Sequence, residues 1–476
     1  MKRLFLAILI SLPVMLFGAM GPDVSQVNGK SLKWEEGAWD YFVMFKTLIK
    51  NDNRTVCTPS ALTNCNLGDD QKGNPQADAC MDPNVGSTFD LIDSQIPFDA
   101  HISAAYLIWV SALPPDKVPN GVTDNAVTLS FVGNEETTLS TEIIATETPR
   151  TLADTTDFSF GAYESKNTVN LECDSDEVCT SNEQLGAGFK CIDGSCGTHT
   201  VTYTYRADVT EFFDTIHSMN IEAGVLNDGT GLLGKYTVSD MECTNDPSYV
   251  ATSGMVGGWA LAFVYTSEQI SPKKIYFYDG FDAYHFEEGV ISTSGFELPN
   301  EAVVRFTMIA AEGDPGLATS SNPDNPFGGA PAAEALSISG AQKFPIDEWL
   351  QLWNDCNQAK ATDSTGLAFN YTEVYNSISS TYGWEDEFPF CVGGNPGTPD
   401  ANLLEYAMDV DTFILSAKDE AFAPHLIKGD QFLNFKIGAN QDQIYTNLIV
   451  VSIDTKSPKF DIPKNPETPD GREKNF

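Results

Sequence analysis

Residues 257–281 read GGWALAFVYTSEQISPKKIYFYDGF, two apolar runs separated by a short polar turn that contains Pro272. Both runs are rich in Val, Ile, Tyr and Phe, which is the composition of β-strands. The first run is apolar at nearly every position, as expected of a strand in the centre of a sandwich. This stretch therefore predicts two strands of an all-β protein, and the turn at Pro272 is a candidate domain boundary.

The same composition recurs along the whole chain, as short apolar runs interrupted by Gly, Pro, Asn and Asp. One run alternates cleanly, because Val201, Tyr203 and Tyr205 fall on one side of the strand and the threonines between them on the other. The runs that predict further strands are 104–110, 125–133, 198–209, 302–311, 411–417 and 444–454.

A length of 476 residues allows more than one hydrophobic core. We predict two β-sandwiches of the jelly-roll-like kind, 20–272 and 273–461. The first is interrupted by a disulfide-rich insert at 171–198, and the second contains a loop and helical insertion at 318–400. The Pro-rich and charged tail at 462–476 has little to bury and is predicted to be disordered.

Two helices are predicted. Residues 344–356, FPIDEWLQLWNDC, place Ile346, Trp349, Leu350 and Trp353 at helical spacing and acidic residues in the first turn. A shorter helix is expected after Asp208, where Glu211 completes a capping-box pattern.

The N-terminus has the layout of a secretory signal peptide over residues 1–19. Lys2 and Arg3 precede an apolar run that ends at Phe17, and small residues follow it. The run is shorter than the ~20 apolar residues of a membrane span. We therefore expect a secreted protein, extracellular or on the cell surface or in a periplasm, with no integral membrane segment after cleavage.

The formal net charge is −40. A charge of this sign opposes binding to nucleic acid and to anionic lipid. Solubility outside the cell explains so many carboxylates, and so does calcium binding, because hard cations prefer oxygen ligands.

The chain has 10 cysteines, and four of them fall in one short polar segment at Cys173, Cys179, Cys191 and Cys196. Their spacing does not match the paired ligands of a zinc site, and the chain has no C-x-x-C motif for thioredoxin-like chemistry. Cross-linking fits an exported chain. Four cysteines can form two disulfides in three ways, and of these we prefer Cys173 with Cys191 and Cys179 with Cys196. We also expect Cys356 to pair with Cys391, and Cys57, Cys65, Cys80 and Cys243 to pair among themselves.

The ends of this segment, CDSDEVC and CIDGSC, resemble small secreted cysteine modules of surface proteins in predatory and gliding bacteria. The middle, TSNEQLGAGFK, is longer than in those modules.

The order of the strands also resembles a poorly characterised β-rich domain family of large secreted and surface-exposed bacterial and archaeal proteins. The most specific feature of the resemblance is G-G-W, an apolar strand and then Y-D-G-F. The other segments that carry it are DSQIPFDAHISAAYLIWVSALP, YRADVTEFF, GLLGKYTVSDMEC, FTMIAAEGDPGL, EALSISG, NYTEVYNSIS, AMDVDTFILS and IYTNLIVVSID. The resemblance implies an adhesin-like surface role and gives no catalytic residues.

No motif of a known catalytic class is present: the chain lacks G-x-S-x-G, H-E-x-x-H, a P-loop and a strand-linked G-x-G-x-x-G. Its 5 histidines are scattered along the sequence. His285 lies among acidic residues, but neighbours in a strand point to opposite faces. We expect no catalytic activity, with no catalytic or cofactor-binding residues. A glycoside hydrolase remains an alternative, since its two carboxylates need no sequence signature.

Calcium is the one cofactor that the sequence suggests. The candidate ligands are fragments of the D-x-D or D-x-x-D type, and none completes an EF-hand loop. They are Asp174, Asp176, Asp279, Asp282, Asp409 and Asp411.

These observations together predict a secreted, acidic, disulfide-stapled protein with a structural or adhesin-like role at a bacterial surface. Its partners would be a glycan or protein on another cell, or other surface proteins. A carbohydrate-active module, binding or hydrolytic, is the alternative, and a subunit of an extracellular filament is a further one.

Overall fold

The computed structural model confirms the all-β fold class, since strands far outnumber helices among the residues that it describes. Those residues are 26–27, 30–47, 49–51, 78–80, 86–93, 95–97, 99–113, 126–133, 140–146, 160–180, 190–222, 230–241, 257–311, 334–340, 349–352, 358–362, 368–372, 379–382, 390–392, 394–395, 398–399 and 408–455. The predicted signal peptide, the predicted tail and most of the predicted 318–400 insertion lie outside them.

The strands up to the turn at Pro272 are β1 (Gln26–Val27), β2 (Lys30–Ser31), β3 (Lys33–Gly37), β4 (Trp39–Thr47), β5 (Ile49–Asn51), β6 (Asp78–Cys80), β7 (Ser87–Leu91), β8 (His101–Leu113), β9 (Ala126–Gly133), β10 (Ser140–Thr146), β11 (Phe160–Glu172), β12 (Lys190–Ile192), β13 (Ser195–Asp208), β14 (Gly234–Ser239) and β15 (Gly257–Thr266). The helical elements are α1 (Asp176–Thr180), α2 (Thr210–Glu222) and a 3-10 turn (Thr230–Leu232).

The strands after that turn are β16 (Lys273–Ser294), β17 (Val303–Ala311), β18 (Glu334–Gly340), β19 (Leu350–Gln351), β20 (Gln358–Thr362), β21 (Ala368–Thr372), β22 (Ser379–Thr381), β23 (Phe390–Val392), β24 (Gly394–Asn395), β25 (Thr398–Pro399), β26 (Met408–Ser416) and β27 (Phe432–Asp454).

Three antiparallel sheets form the frame. The outer sheet has the order β10-β9-β14-β7, and the central sheet has the order β11-β13-β8-β15-β4 with β12 added to β13. The C-terminal sheet has the order β19-β18-β27-β16-β3, and β17 joins β26 to β27. The predicted boundary at Pro272 lies in the turn between β15 of the central sheet and β16 of the C-terminal sheet.

The central sheet is buried on both faces. On β15, Trp259, Leu261 and Phe263 pack into the core shared with the outer sheet, whereas Ala260 and Ala262 pack towards the C-terminal sheet. This arrangement explains why the sequence of β15 is apolar without alternation. The three sheets therefore stack as layers, with a continuous apolar contact between the two predicted sandwiches.

The alternating strand β13 shows the same double burial. Tyr203 and Tyr205 lie in the core under the outer sheet, as the alternation predicts. Thr202 and Thr204, on the opposite face, are also buried, and the Thr204 hydroxyl donates a hydrogen bond to the carbonyl of Trp109 (3.2 Å). The alternation in β13 therefore corresponds to two buried faces, one apolar and one carrying hydroxyl groups.

The long strands β16 and β27 pair along almost their whole length and hold the C-terminal sheet together. The pairing is irregular between Asp279 and Asp282 and between His285 and Glu287. The second half of β27 pairs with β17 and its first half with β18. A separate core covers the other face of this sheet, and Phe306 stacks on Phe435 at its centre with ring centroids 3.9 Å apart.

The predicted helix at 344–356 is wrong where the structure describes it. Leu350 and Gln351 form β19, which pairs with Ile338 and Ser337 of β18, and the next residue is fully buried. Hydrogen bonding to an existing sheet edge and burial of that side chain outweigh the local helical periodicity. The predicted helix after Asp208 is confirmed as α2, which runs from Thr210 to Glu222.

Among the described residues, no helix has the length and apolar character needed to cross a membrane.

Gly258 in the G-G-W motif allows the central and C-terminal sheets to approach closely. A Cβ at this position would lie 2.1 Å from Cγ of Met408 and 2.9 Å from the carbonyl oxygen of Lys46. We expect Gly258→Ala to lower the free energy of unfolding by about 1–3 kcal/mol through overpacking, as measured by urea unfolding. The cost should shrink in a Met408→Ala background, and an unchanged cost there would contradict the proposed contact.

Candidate functional site

Strands β11 and β13 of the central sheet continue past the last pair between β13 and β8 and carry the disulfide-rich insert. β13 pairs with β8 from Val201 to Asp208, whereas its earlier residues pair with β11 and β12. We call the described residues 172–180 and 190–197 the tip. The tip is thus an extension of the central sheet that is supported by its own hairpin and by α1.

Two disulfides fasten the tip, and they are the pairs preferred from the sequence. Cys173 is bonded to Cys191, and Cys179 is bonded to Cys196. The sulfur atoms of Cys173, Cys179 and Cys196 all lie within 4.8 Å of one another. Because every sulfur in the tip is already bonded to another, the oxidised tip offers no thiolate to a zinc ion. The remaining predicted pairs involve side chains outside the described part of the chain.

The backbone of the tip is shaped by a tight turn and by local hydrogen bonds. Asp193 and Gly194 both have positive φ (52° and 87°) and join β12 to β13 as a two-residue hairpin turn. The carboxylate of Asp176 accepts a hydrogen bond from the backbone N–H of Cys191 (2.8 Å). The Cys173 N–H donates to the carbonyl of Gly194 (3.0 Å). These contacts hold α1 against the hairpin.

The tip exposes mostly acidic side chains and buries very little. Of its described residues only Cys179, Cys196 and Gly197 are buried. Val178 adds an exposed apolar side chain, and Lys190 is an exposed basic residue. The exposed acidic residues of the tip are Glu172, Asp174, Asp176, Glu177 and Asp193. Since apolar burial cannot order such a segment, the cross-links take the place of a core.

The predicted calcium ligands lie on separate elements. Asp174 and Asp176 are in the tip, and Asp176 is already engaged with Cys191. Asp409 and Asp411 lie on β26 and are both buried. Asp279 and Asp282 lie on β16 at its first irregularity, and their side chains are not among those described. Calcium binding at any of the three pairs stays a prediction.

Sequence reasoning missed a buried ion cluster where β4 meets the C-terminal sheet. Asp40 is fully buried and accepts hydrogen bonds from Nζ of Lys273 on β16 and from Nη1 of Arg305 on β17 (3.0 Å for the latter). The guanidinium of Arg305 also lies over the ring of Tyr41 (5.5 Å). Only an Asp in an otherwise apolar strand, at residues 39–45, signalled the cluster in the sequence.

Hydroxyl groups extend this polar contact across the interface. The hydroxyl of Tyr41 is hydrogen-bonded to that of Thr307 (2.7 Å), and Thr307 is hydrogen-bonded to Thr412 (2.8 Å). A strip of paired polar groups therefore runs from β4 through β17 to β26, inside an interface that is otherwise apolar. Paired groups of this kind fix how two sheets sit on each other, because any slip leaves a buried donor or acceptor unmatched.

Burial and charge act against each other on the cluster. Burial would raise the pKa of Asp40, but Arg305 and Lys273 outweigh it and the pKa is lowered. Burial raises the pKa of neighbouring Asp454, and the same two cations only partly oppose that effect. Arg305 and Lys273 therefore hold Asp40 in its charged form at neutral pH.

Acid should weaken the contact between the sheets. A carboxyl whose folded-state pKa is lowered contributes stability that is present above its unfolded pKa, about 3.9, and that is lost as pH falls through the folded-state value. We expect the free energy of unfolding to fall below about pH 4, and to fall less in Asp40→Asn. Urea unfolding at a series of pH values measures the free energy of unfolding of the unchanged chain and of Asp40→Asn. Equal losses of stability in the two proteins at low pH would contradict this role of Asp40.

Comparisons with known proteins show no family for the chain. No protein-family model matches it, and no curated protein matches it. Among solved structures, the chain is similar to the crystal structure of peptide-N(4)-(N-acetyl-β-D-glucosaminyl)asparagine amidase, with 11% identity and a TM-score of 0.17. The match covers 88% of this chain and 97% of that one. A likeness with so low a TM-score carries no argument about fold or function.

Proposed function

We propose that the protein is a secreted surface protein with a structural or adhesin-like role, and that the tip is its contact surface. The observation that carries the proposal is the tip itself: two disulfides hold an acidic, almost coreless extension in one shape. A disulfide contributes about 2–4 kcal/mol mainly by restricting the unfolded chain. Fixing the backbone that carries the charged side chains before contact lowers the entropic cost of binding.

Charge complementarity favours a basic partner. The tip carries five exposed carboxylates and one exposed lysine among its described residues. Such a surface steers a positively charged protein patch towards it and repels another acidic surface. The ion cluster of Asp40 is not part of this contact surface, because its charges are buried between sheets. Its role is to stabilise the contact between those sheets.

The test is the binding of the full chain to isolated cell envelopes, with and without neutralisation of the tip. The tip variant combines Asp174→Asn, Glu177→Gln and Asp193→Asn, which leaves Asp176 and the disulfides intact. The control combines Asp90→Asn, Glu222→Gln and Glu420→Gln, three exposed acids elsewhere on the frame. We expect the tip variant to bind about tenfold more weakly and the control to bind as the unchanged chain does.

Other outcomes would contradict the proposal. Equal weakening in both variants would mean that net charge, not the tip, controls binding. Turnover of a polysaccharide in the same preparations would support the carbohydrate-active alternative, and ordered polymers in electron micrographs would support a filament subunit. Repeating the assay with a calcium chelator tests whether any of the predicted aspartates acts through the ion.

A further inference from the structure

Two histidines that are far apart in the sequence meet at the surface, where the start of β8 lies beside α2. His101 is the first residue of β8, and His217 lies in the middle of α2. Their ring centroids are 5.0 Å apart, and the ring planes are inclined by 63°. The sequence shows only scattered histidines, so this pair is created by the packing of the helix beside the end of the strand.

Each ring is carried by a well-supported element. His101 pairs in register with Thr266 of β15, whose hydroxyl donates to the His101 carbonyl (3.4 Å). Helix α2 is capped by Asp208, whose carboxylate accepts hydrogen bonds from the N–H (3.0 Å) and the hydroxyl (2.6 Å) of Thr210. The buried face of α2 is formed by Phe212, Phe213, Ile216 and Asn220. Ligands held by rigid elements lose little entropy when they bind an ion.

The pair is open to solvent and lies on a strongly acidic protein. His101 is exposed and His217 is partly exposed. A net charge of −40 raises the local concentration of cations around the chain. A dissolved ion can therefore reach both imidazole rings without any rearrangement of the core.

We propose that His101 and His217 together bind one divalent transition-metal ion, such as Zn²⁺, Ni²⁺ or Cu²⁺. Imidazole nitrogen suits these ions, whereas Ca²⁺ and Mg²⁺ prefer oxygen. Two nitrogens bound to one tetrahedral zinc ion lie about 3.3 Å apart, from Zn–N bonds of about 2.0–2.1 Å. A centroid separation of 5.0 Å is compatible with that nitrogen–nitrogen distance, because the nitrogens lie on the perimeters of the two rings. Water, or a side chain of a bound partner, completes the coordination.

The metal site joins the start of β8 to α2. Because the ion binds only when both elements are in place, it stabilises the folded state in proportion to its concentration. The open coordination positions also give the surface a place where a carboxylate or imidazole of another molecule can bind. The tip contains the start of β13, whereas α2 follows the last residue of that strand, so the histidine pair is separate from the tip.

The test is nuclear magnetic resonance of the full chain labelled with ¹³C in its histidine rings, which gives signals from 5 histidines. We expect substoichiometric Ni²⁺ to broaden two signals first, and His101→Gln and His217→Gln to identify them. Mg²⁺ should broaden none. Titration calorimetry with Zn²⁺ should show one ion bound per chain at this pair, at least tenfold more weakly in either variant.

His199→Gln serves as the control, since His199 lies on β13 and not in the pair. Unfolding temperatures in chelator establish that all variants are folded. If the signals of His101 and His217 do not respond to Ni²⁺, or if His101→Gln and His217→Gln bind Zn²⁺ as the unchanged chain does, the rings are in packing contact only and the proposal is overturned.

Discussion

Replacing Asp40 with alanine should lower the free energy of unfolding by about 3–5 kcal/mol. The carboxylate of Asp40 is fully buried and is bonded to both Lys273 and Arg305. Its removal leaves two cations at an otherwise apolar interface without their hydrogen-bonded carboxylate, and Asp454 stays as a carboxyl group near them. The side chains of Lys273 and Arg305 are 12% and 13% exposed, so relaxation towards solvent recovers only part of the loss. Urea unfolding followed by circular dichroism measures the effect.

Two further variants separate charge from shape. Asp40→Asn keeps the volume and one acceptor oxygen, and we expect it to cost less than Asp40→Ala. Asp90→Ala removes an exposed carboxylate and should change stability by less than about 0.5 kcal/mol. A cost below about 1 kcal/mol for Asp40→Ala would mean that the cluster does not hold the central and C-terminal sheets together.

Trp259→Ala should lower the free energy of unfolding by a similar amount, about 3–5 kcal/mol. This residue lies in the core between the central and outer sheets. Trp259 is fully buried on β15 opposite Trp109, and its ring N–H donates a hydrogen bond to the hydroxyl of Ser87 on β7 (2.8 Å). That bond joins the central sheet to the outer sheet. The substitution therefore leaves a cavity and also removes the group that donates this hydrogen bond to Ser87.

Trp259→Phe and Val132→Ala provide the comparison for the tryptophan. Phenylalanine fills most of the space but cannot donate a hydrogen bond to Ser87. Trp259→Phe should therefore lower the free energy of unfolding, but by less than Trp259→Ala does. Val132 is 52% exposed on the outer sheet, and its truncation should cost less than about 0.5 kcal/mol. A loss below about 1 kcal/mol for Trp259→Ala would contradict close packing between these two sheets.

The strands could be predicted well from the sequence because their signal is local. The runs around Trp109, Leu129, Trp259 and Phe306 each became a strand at nearly the predicted position. Apolar, β-branched and aromatic composition reports burial in a sheet whatever the neighbouring strand is. Helix α2 was equally predictable, since Asp208 caps it through a side chain only two residues away.

The stacking of the sheets could not be predicted, because it depends on contacts between distant residues. Thr202 and Thr204 alternate with apolar residues in the sequence, as a solvent-facing row would, yet both are buried. Leu350 fits a helix by spacing, but pairing with Ile338 places it in a strand. Local periodicity cannot indicate which of two faces another sheet will cover.

The candidate sites also divide into one that local sequence predicts and others that depend on distant residues. Cross-linking of the four cysteines in the tip was predicted from the sequence, which left three pairings possible, and the preferred pairing is the observed one. The Asp193–Gly194 turn carries a hairpin signal that sequence reasoning missed. The cluster of Asp40 and the pair of His101 and His217 join residues more than a hundred positions apart. No spacing rule finds such contacts, since only the folded topology brings the residues together.

Peptide mass spectrometry without reduction, on protein recovered from outside the producing cell, tests export and the stapled tip in one measurement. We predict a mature chain without residues 1–19 and peptides joined as Cys173–Cys191 and Cys179–Cys196. Free thiols at these four positions, or a transition-metal ion bound by them in a protein that keeps its leader inside the cell, would contradict a disulfide-stapled surface protein.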